Sequence, residues 1–150
     1  MRDTKGFTLV ELLAVIVILA IVALITTPAI LNVINNSRLE GAKDKAWGTI
    51  KSVQLAYTQA QTIDNYTEAT SSSNGITVDA DANTITVDFS SGIPKFGARS
   101  VTFTGETPKS GQVIINTASG QITCKDLEFT GNGHYKCTTT DGKTMDCPKA

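Results

Sequence analysis

The sequence predicts an α+β fold in which a long N-terminal helix packs its C-terminal half on an antiparallel β-sheet. Three observations predict it. No charged residue occurs from Leu12 to Ser37. Apolar residues then recur at three- and four-residue intervals to Ala60, and only alternating strand-like runs follow. One helix succeeded by antiparallel strands is the α+β pattern. The expected organisation is a leader at residues 1–6, a hydrophobic helix at 7–37 and an α+β head at 38–150.

The first element begins with a short basic stretch, MRDTKG, and continues as FTLVELLAVIVILAIVALITTP. A basic start before an apolar run is the pattern of a signal peptide or a membrane span. Phe7 to Leu31 covers 25 residues, about 37 Å as a helix at ~1.5 Å per residue. That length exceeds a hydrocarbon core of ~30 Å. Glu11 interrupts the run. A carboxylate there costs roughly 2.5–3.5 kcal/mol at mid-membrane on insertion scales, so a compensating charge is expected. Cleavage between Gly6 and Phe7 would create one, because the new Phe7 amine would lie four residues from Glu11. It would also remove Arg2 and Lys5, which hold the front of the segment on the cytoplasmic side.

From Asn36 to about Thr62 the helix becomes amphipathic. Leu39, Ala42, Ala46, Ile50, Val53, Tyr57 and Ala60 form one apolar face, opposite Arg38, Glu40, Lys43, Asp44, Lys45 and Lys51. Trp47 is expected to pack the helix on the sheet. Gly41 and Gly48 are expected as flexible or close-packing points. The polar segment Asp64–Gly75 reads as a loop. Hairpins are expected from Ile76–Val78 with Thr84–Phe89, and from Gln112–Ile115 with Gln121–Cys124 across Ala118-Ser119-Gly120. Ser100–Phe103 and His134–Cys137 read as further strands.

Three cysteines, Cys124, Cys137 and Cys147, cluster near the C-terminus, as a disulfide in an exported protein would require. A loop at Asp141-Gly142-Lys143 would set Cys137 opposite Cys147. A turn at Thr130-Gly131 would set Cys124 opposite Cys137. The register leaves both pairings open. Paired Cys-x-x-Cys spacing is missing, so neither a metal nor a cofactor is expected. His134 is the only histidine, and no nucleophile motif or phosphate-binding loop accompanies it. No enzymatic activity is expected. The formal net charge is −1 with a pI of about 5.7. No basic stripe exists for a phosphate backbone, and strong nucleic-acid binding is not expected.

Lys5-Gly6-Phe7-Thr8-Leu9-Val10-Glu11 resembles the signature of the type IV prepilins. It joins a short basic leader ending in Gly, a Phe start, a Glu four residues on, and an apolar helix. The close resemblance covers residues 1 to about 40, and the apolar run is similar to those of Gram-positive bacteria. The resemblance implies that a prepilin peptidase in the membrane cuts after Gly6 and methylates Phe7. It implies that Glu11 forms an assembly salt bridge with the N-terminal amine of a neighbouring subunit. Pro28, which lacks an N–H and crowds the Leu24 carbonyl, is implied to kink or melt the helix during assembly. A C-terminal bridge to Cys147 is favoured by the same likeness, giving Cys137–Cys147.

The implied function is a structural subunit of a type IV pilus, held in membrane lipid and then drawn into a helical surface filament. Implied partners are identical subunits, minor pilins, an inner-membrane assembly platform and a motor ATPase. The implied location is the cytoplasmic membrane and then an extracellular pilus. One alternative is a pseudopilin of a type II secretion or competence system, although the cysteine-free calcium loop of the major secretion pseudopilins is not found here. The other is a membrane-anchored extracellular binding protein, which leaves Glu11 and the leader unexplained.

Overall fold

The computed structural model describes residues 6–64, 75–131 and 134–150. Most of the expected leader, 1–5, and most of the expected loop, 65–74, lie outside the described residues. Helix α1 spans Leu9–Ile63. By its internal contacts the chain divides into two units, one ending at Ser37 and one running from Arg38 to Ala150.

In the first unit every described residue is exposed. The side chains of Leu9–Leu31 are almost all aliphatic, so the helix is apolar right round and has no wet face. Such a helix belongs in lipid or among other helices. Within α1 the most apolar 18-residue stretch has a mean hydropathy of 3.1 and none of it is buried. It is long and apolar enough to cross a membrane.

In the second unit the remaining part of α1 buries one face: Ala42, Ala46, Thr49, Ile50, Val53, Ala56 and Ala60. Four of these are alanines. The Thr49 hydroxyl is buried but satisfied, donating to the Lys45 carbonyl at 3.0 Å. Leu39, Trp47 and Tyr57 pack at the margin of this core. Trp47 therefore takes the packing place expected of it. Gly48 does not close-pack, since a Cβ built there would meet nothing within 4 Å.

The sheet has five antiparallel strands in the order β1 (Ile76–Asp79), β2 (Thr84–Asp88), β5 (Ser110–Asn116), β6 (Ile122–Glu128), β7 (Lys136–Thr139). Its register lines apolar residues in rows. Ile76 faces Val87, Val87 faces Val113, and Val113 faces Cys124. A second row joins Val78, Ile85, Ile115 and Ile122. Alternation at a period of two sends these rows into the core. It leaves Thr77, Thr86, Ile114 and Thr123 as a row on the other face.

Both expected hairpins form. Asp79 closes the first by accepting the Asp81 and Ala82 amides at 3.1 and 3.0 Å, with Asn83 at φ 52°. Gly120 takes φ 71° in the second, as an αL turn position requires. A bulge interrupts β5–β6 between Ser110 and Gln112. Gly111 permits it: its φ is 106°, and a Cβ would stand 2.5 Å from the Asp126 carbonyl oxygen.

Two expected strands are corrected. Ser100–Phe103 is not a strand of the sheet. Only Arg99–Ser100 (β4) pairs, with Lys95–Phe96 (β3), in a separate two-stranded ribbon. The apolar residues after it have another use. Val101 is buried and its amide bonds the Pro94 carbonyl at 3.1 Å, while Phe103 lies edge-on to Phe89 with centroids 5.9 Å apart. Their alternation reflects burial of a crossing segment, not pairing. The last strand begins at Lys136, later than the expected His134, because residues 134–135 come before the β6–β7 register starts at Lys136↔Glu128.

Candidate functional site

The N-terminal feature is built by a helix start. Gly6, Phe7 and Thr8 are exposed and precede the helix. Thr8 is its N-cap. Its Oγ1 accepts the Glu11 amide at 3.3 Å, while the Glu11 carboxylate accepts the Thr8 amide and hydroxyl, each at 2.9 Å. The Leu12 amide begins the helical ladder on the Thr8 carbonyl at 3.2 Å. This is a reciprocal capping box, which satisfies donors that a helix end leaves bare. The carboxylate also lies at the positive end of the helix dipole. Glu11 therefore has polar partners, although no basic side chain pairs with it among the described residues.

The box sharpens the reading of Glu11 as an uncompensated charge. Thr8 supplies hydrogen bonds and the helix supplies a partial charge, but among the described residues no basic side chain supplies a full counter-charge. The sequence carries the signal for it, since Thr-x-x-Glu before an apolar run is a capping-box pattern. Gly6 and Phe7 lie in non-helical chain directly before this box. Pro28 lies inside α1, more than a full helical turn short of Ser37 where the first unit ends.

The C-terminal feature is a clip. Cys137 and Cys147 form a disulfide, so the structure selects one of the two pairings that register left open. Its neighbours explain the choice. Thr138 and Asp146 exchange both backbone hydrogen bonds, at 2.8 and 3.0 Å, and the Lys136 amide bonds the Pro148 carbonyl at 3.0 Å. Cys137 and Cys147 therefore occupy the non-hydrogen-bonded position between two bonded pairs. Side chains approach most closely at such positions.

Asp141 organises the connecting turn. Its carboxylate accepts the amides of Lys143 and Thr144 at 2.9 and 2.8 Å, and the hydroxyls of Thr139 and Thr144 at 3.1 and 2.8 Å. These donors hold its pKa well below the usual carboxylate range, the backbone amides contributing most. Cys124 is the remaining thiol among the described residues. It is buried opposite Thr139 and Val113, and burial pushes its pKa up to about 11. A thiol kept protonated in this way is a poor nucleophile.

Two polar ties fasten the second unit together, and no sequence pattern points to either. Lys45 pairs with Glu106, whose other oxygen accepts the Gly131 amide at 3.0 Å. Arg99 bonds Asp64 through two nitrogens at 2.8 and 3.2 Å and reaches Gln59 at 3.3 Å. They connect residues 61, 35 and 40 positions apart, and no local motif carries such pairings.

Comparison with known proteins adds one finding. Residues 1–27 match the family description "prokaryotic N-terminal methylation motif". Searches of curated proteins and of solved structures found no match. The matched segment contains Gly6, Phe7, the Thr8–Glu11 capping box and most of the apolar helix. Together with the long N-terminal helix and the antiparallel sheet, the motif supports a type IV pilin-like or prepilin-like protein, of the pilin or pseudopilin kind.

Proposed function

We propose that the chain is a structural subunit of a type IV pilus. One conjunction carries the reading: a methylation motif sits on an apolar helix whose first turn holds a carboxylate that no basic side chain among the described residues pairs. In this reading a prepilin peptidase cuts after Gly6 and methylates the Phe7 amine. Residues 7–37 lie in the cytoplasmic membrane as a single span, and residues 38–150 form the exported head.

Assembly supplies what Glu11 lacks. Docking against the Phe7 amine of a neighbouring subunit provides a full positive charge to a carboxylate whose partners among the described residues are dipolar. Leaving such a charge uncompensated in a low-dielectric environment is costly. Pro28 provides the weak point that lets the helix adjust. An assembly platform and motor ATPase in the inner membrane would draw the subunit out, and identical and minor pilins would be its neighbours in the extracellular filament. A disulfide-closed head suits that exposed, oxidising setting. A pseudopilin shares the matched segment, and abundance on the cell surface separates the two.

Electron microscopy of surface filaments, with peptide identification of their major component, tests this reading. Abundant filaments composed of this chain are expected. Their absence from cells that express and process the protein overturns the pilus assignment. Gly6→Ala is expected to block maturation, seen as retention of the leader in intact-mass spectra. Glu11→Leu is expected to abolish filaments while mature protein persists in the membrane.

A further inference from the structure

Two connections of the sheet meet beside α1. The turn between β5 and β6 carries Gly120 and Gln121, and the turn after β7 carries Asp141, Gly142 and Lys143. Gly142 lets them lie together: its φ is 68°, and a Cβ there would stand 2.8 Å from the Ile122 carbonyl oxygen. Between these turns and α1 lies an open cleft of about 340 Å³, at the lower end of the range for small-molecule sites.

Trp47 and Ile50 give the cleft its apolar wall, and Lys51, Gln54, Gln121 and Lys143 give it polar groups. Ile50 is buried, Trp47 is half-buried and the four polar residues are exposed. Core packing therefore uses only part of the indole, and the rest borders the cleft. Neither lysine forms an ion pair among the described residues. Asp141 also borders the cleft, but its carboxylate accepts the amides and hydroxyls of its own turn. The groups left for a ligand are mainly donors: ammonium groups and side-chain amides beside an aromatic face.

That set suits one chemical class. The C–H face of a sugar ring is apolar and lies flat on an aromatic ring. Sugar hydroxyls exchange hydrogen bonds with side-chain amides, and a sugar carboxylate supplies the counter-charge that a lysine lacks. We propose that this cleft binds an acidic saccharide, a chain containing uronic acid, with one ring on Trp47 and its carboxylate held by Lys51 and Lys143. Because the cleft is open, neighbouring sugars can extend beyond it. The site lies wholly within residues 38–150 and goes beyond the filament role, since it requires no assembly.

The test is calorimetry together with Trp47 fluorescence on the full chain in a phosphocholine detergent, which carries no sugar. Trp47 is the only tryptophan, so it reports on its own cleft. The probes are trigalacturonate and, as the neutral control, maltotriose. Trigalacturonate is expected to bind saturably and to change the Trp47 emission, with maltotriose at least about threefold weaker. Lys51→Ala and Lys143→Ala are each expected to weaken trigalacturonate about threefold to tenfold, the scale of one partly exposed charge-assisted hydrogen bond. Lys109→Ala, exposed and outside the cleft, is expected to bind like the unaltered chain, and thermal melting checks that each variant is folded. No binding, equally tight maltotriose, binding without a change at Trp47, or an equal loss from Lys109→Ala overturns the site. None of these outcomes bears on whether filaments form, so failure here is distinct from failure of the pilus reading.

Discussion

The two parts of α1 are one helix by hydrogen bonding and two materials by burial. Before Ser37 its aliphatic side chains are exposed on every side. From Ala42 to Ala60 a single face is buried and the opposite face carries charge. Both parts are rich in Ala, Val, Ile and Leu, so hydrophobicity alone does not separate them. Arrangement does. A helix apolar right round leaves no orientation that satisfies water, and only lipid or neighbouring helices can cover it. A helix with one apolar stripe is satisfied by a single sheet.

The sharpest way to break this contrast is to shorten an apolar side chain in each part. Leu127→Ala, at a fully buried sheet position packed in the core, is expected to destabilise the head by about 2–5 kcal/mol. Leu13→Ala, exposed in the first unit, is expected to leave head stability unchanged. Chemical denaturation of the two variants in the same detergent, followed by Trp47 fluorescence, compares them directly. A similar loss from both would mean that the apolar segment contributes to the head.

A smaller effect tests whether the head is stabilised by its clip as well as its core. Cys147→Ser opens a loop closed across 10 residues of sequence and is expected to cost about 2–3 kcal/mol. Thermal melting with and without reductant checks it, since reductant should no longer shift the variant. Gly48→Ala probes the helix face itself. An added methyl meets no atom within 4 Å, so the variant is expected to gain about 1 kcal/mol of head stability.

The smallest effect concerns acid. Donors at Asp141 depress its folded-state pKa, so its contribution is complete above the unfolded value of about 4 and is lost as pH falls through the folded one. Asp141→Asn should therefore narrow the difference in head stability between pH 6 and pH 3. Asp64, Asp88 and Glu106 are also depressed by their partners, so part of the acid dependence should survive the substitution. An unchanged acid limb would show that the Asp141 turn is already open in the folded state at both pH values.

Elements with local causes are legible in the sequence. The helical face follows from 3.6-residue spacing, the hairpins from their turn residues, and the apolar span from its length. The Thr8–Glu11 box is legible too, because its whole mechanism lies within four residues. The segment around Val101 and Phe103 misleads, because alternation reports which side chains are buried, not whether a neighbouring strand accepts the backbone. Gly111 carries no sequence signal of its bulge. Its φ of 106° and the Asp126 carbonyl that a Cβ would strike both arise from pairing with the partner strand.

What the sequence alone determined is the division of labour: an apolar, carboxylate-bearing segment, followed by a head of one amphipathic helix and antiparallel strands. Periodicity and composition suffice for that, since each element's preference for lipid, water or core is a property of its own residues. Tertiary structure decided which cysteine pairs with Cys137 and where Lys45 and Arg99 find their carboxylates. Those outcomes depend on register and on contacts across tens of residues, and no local pattern encodes them.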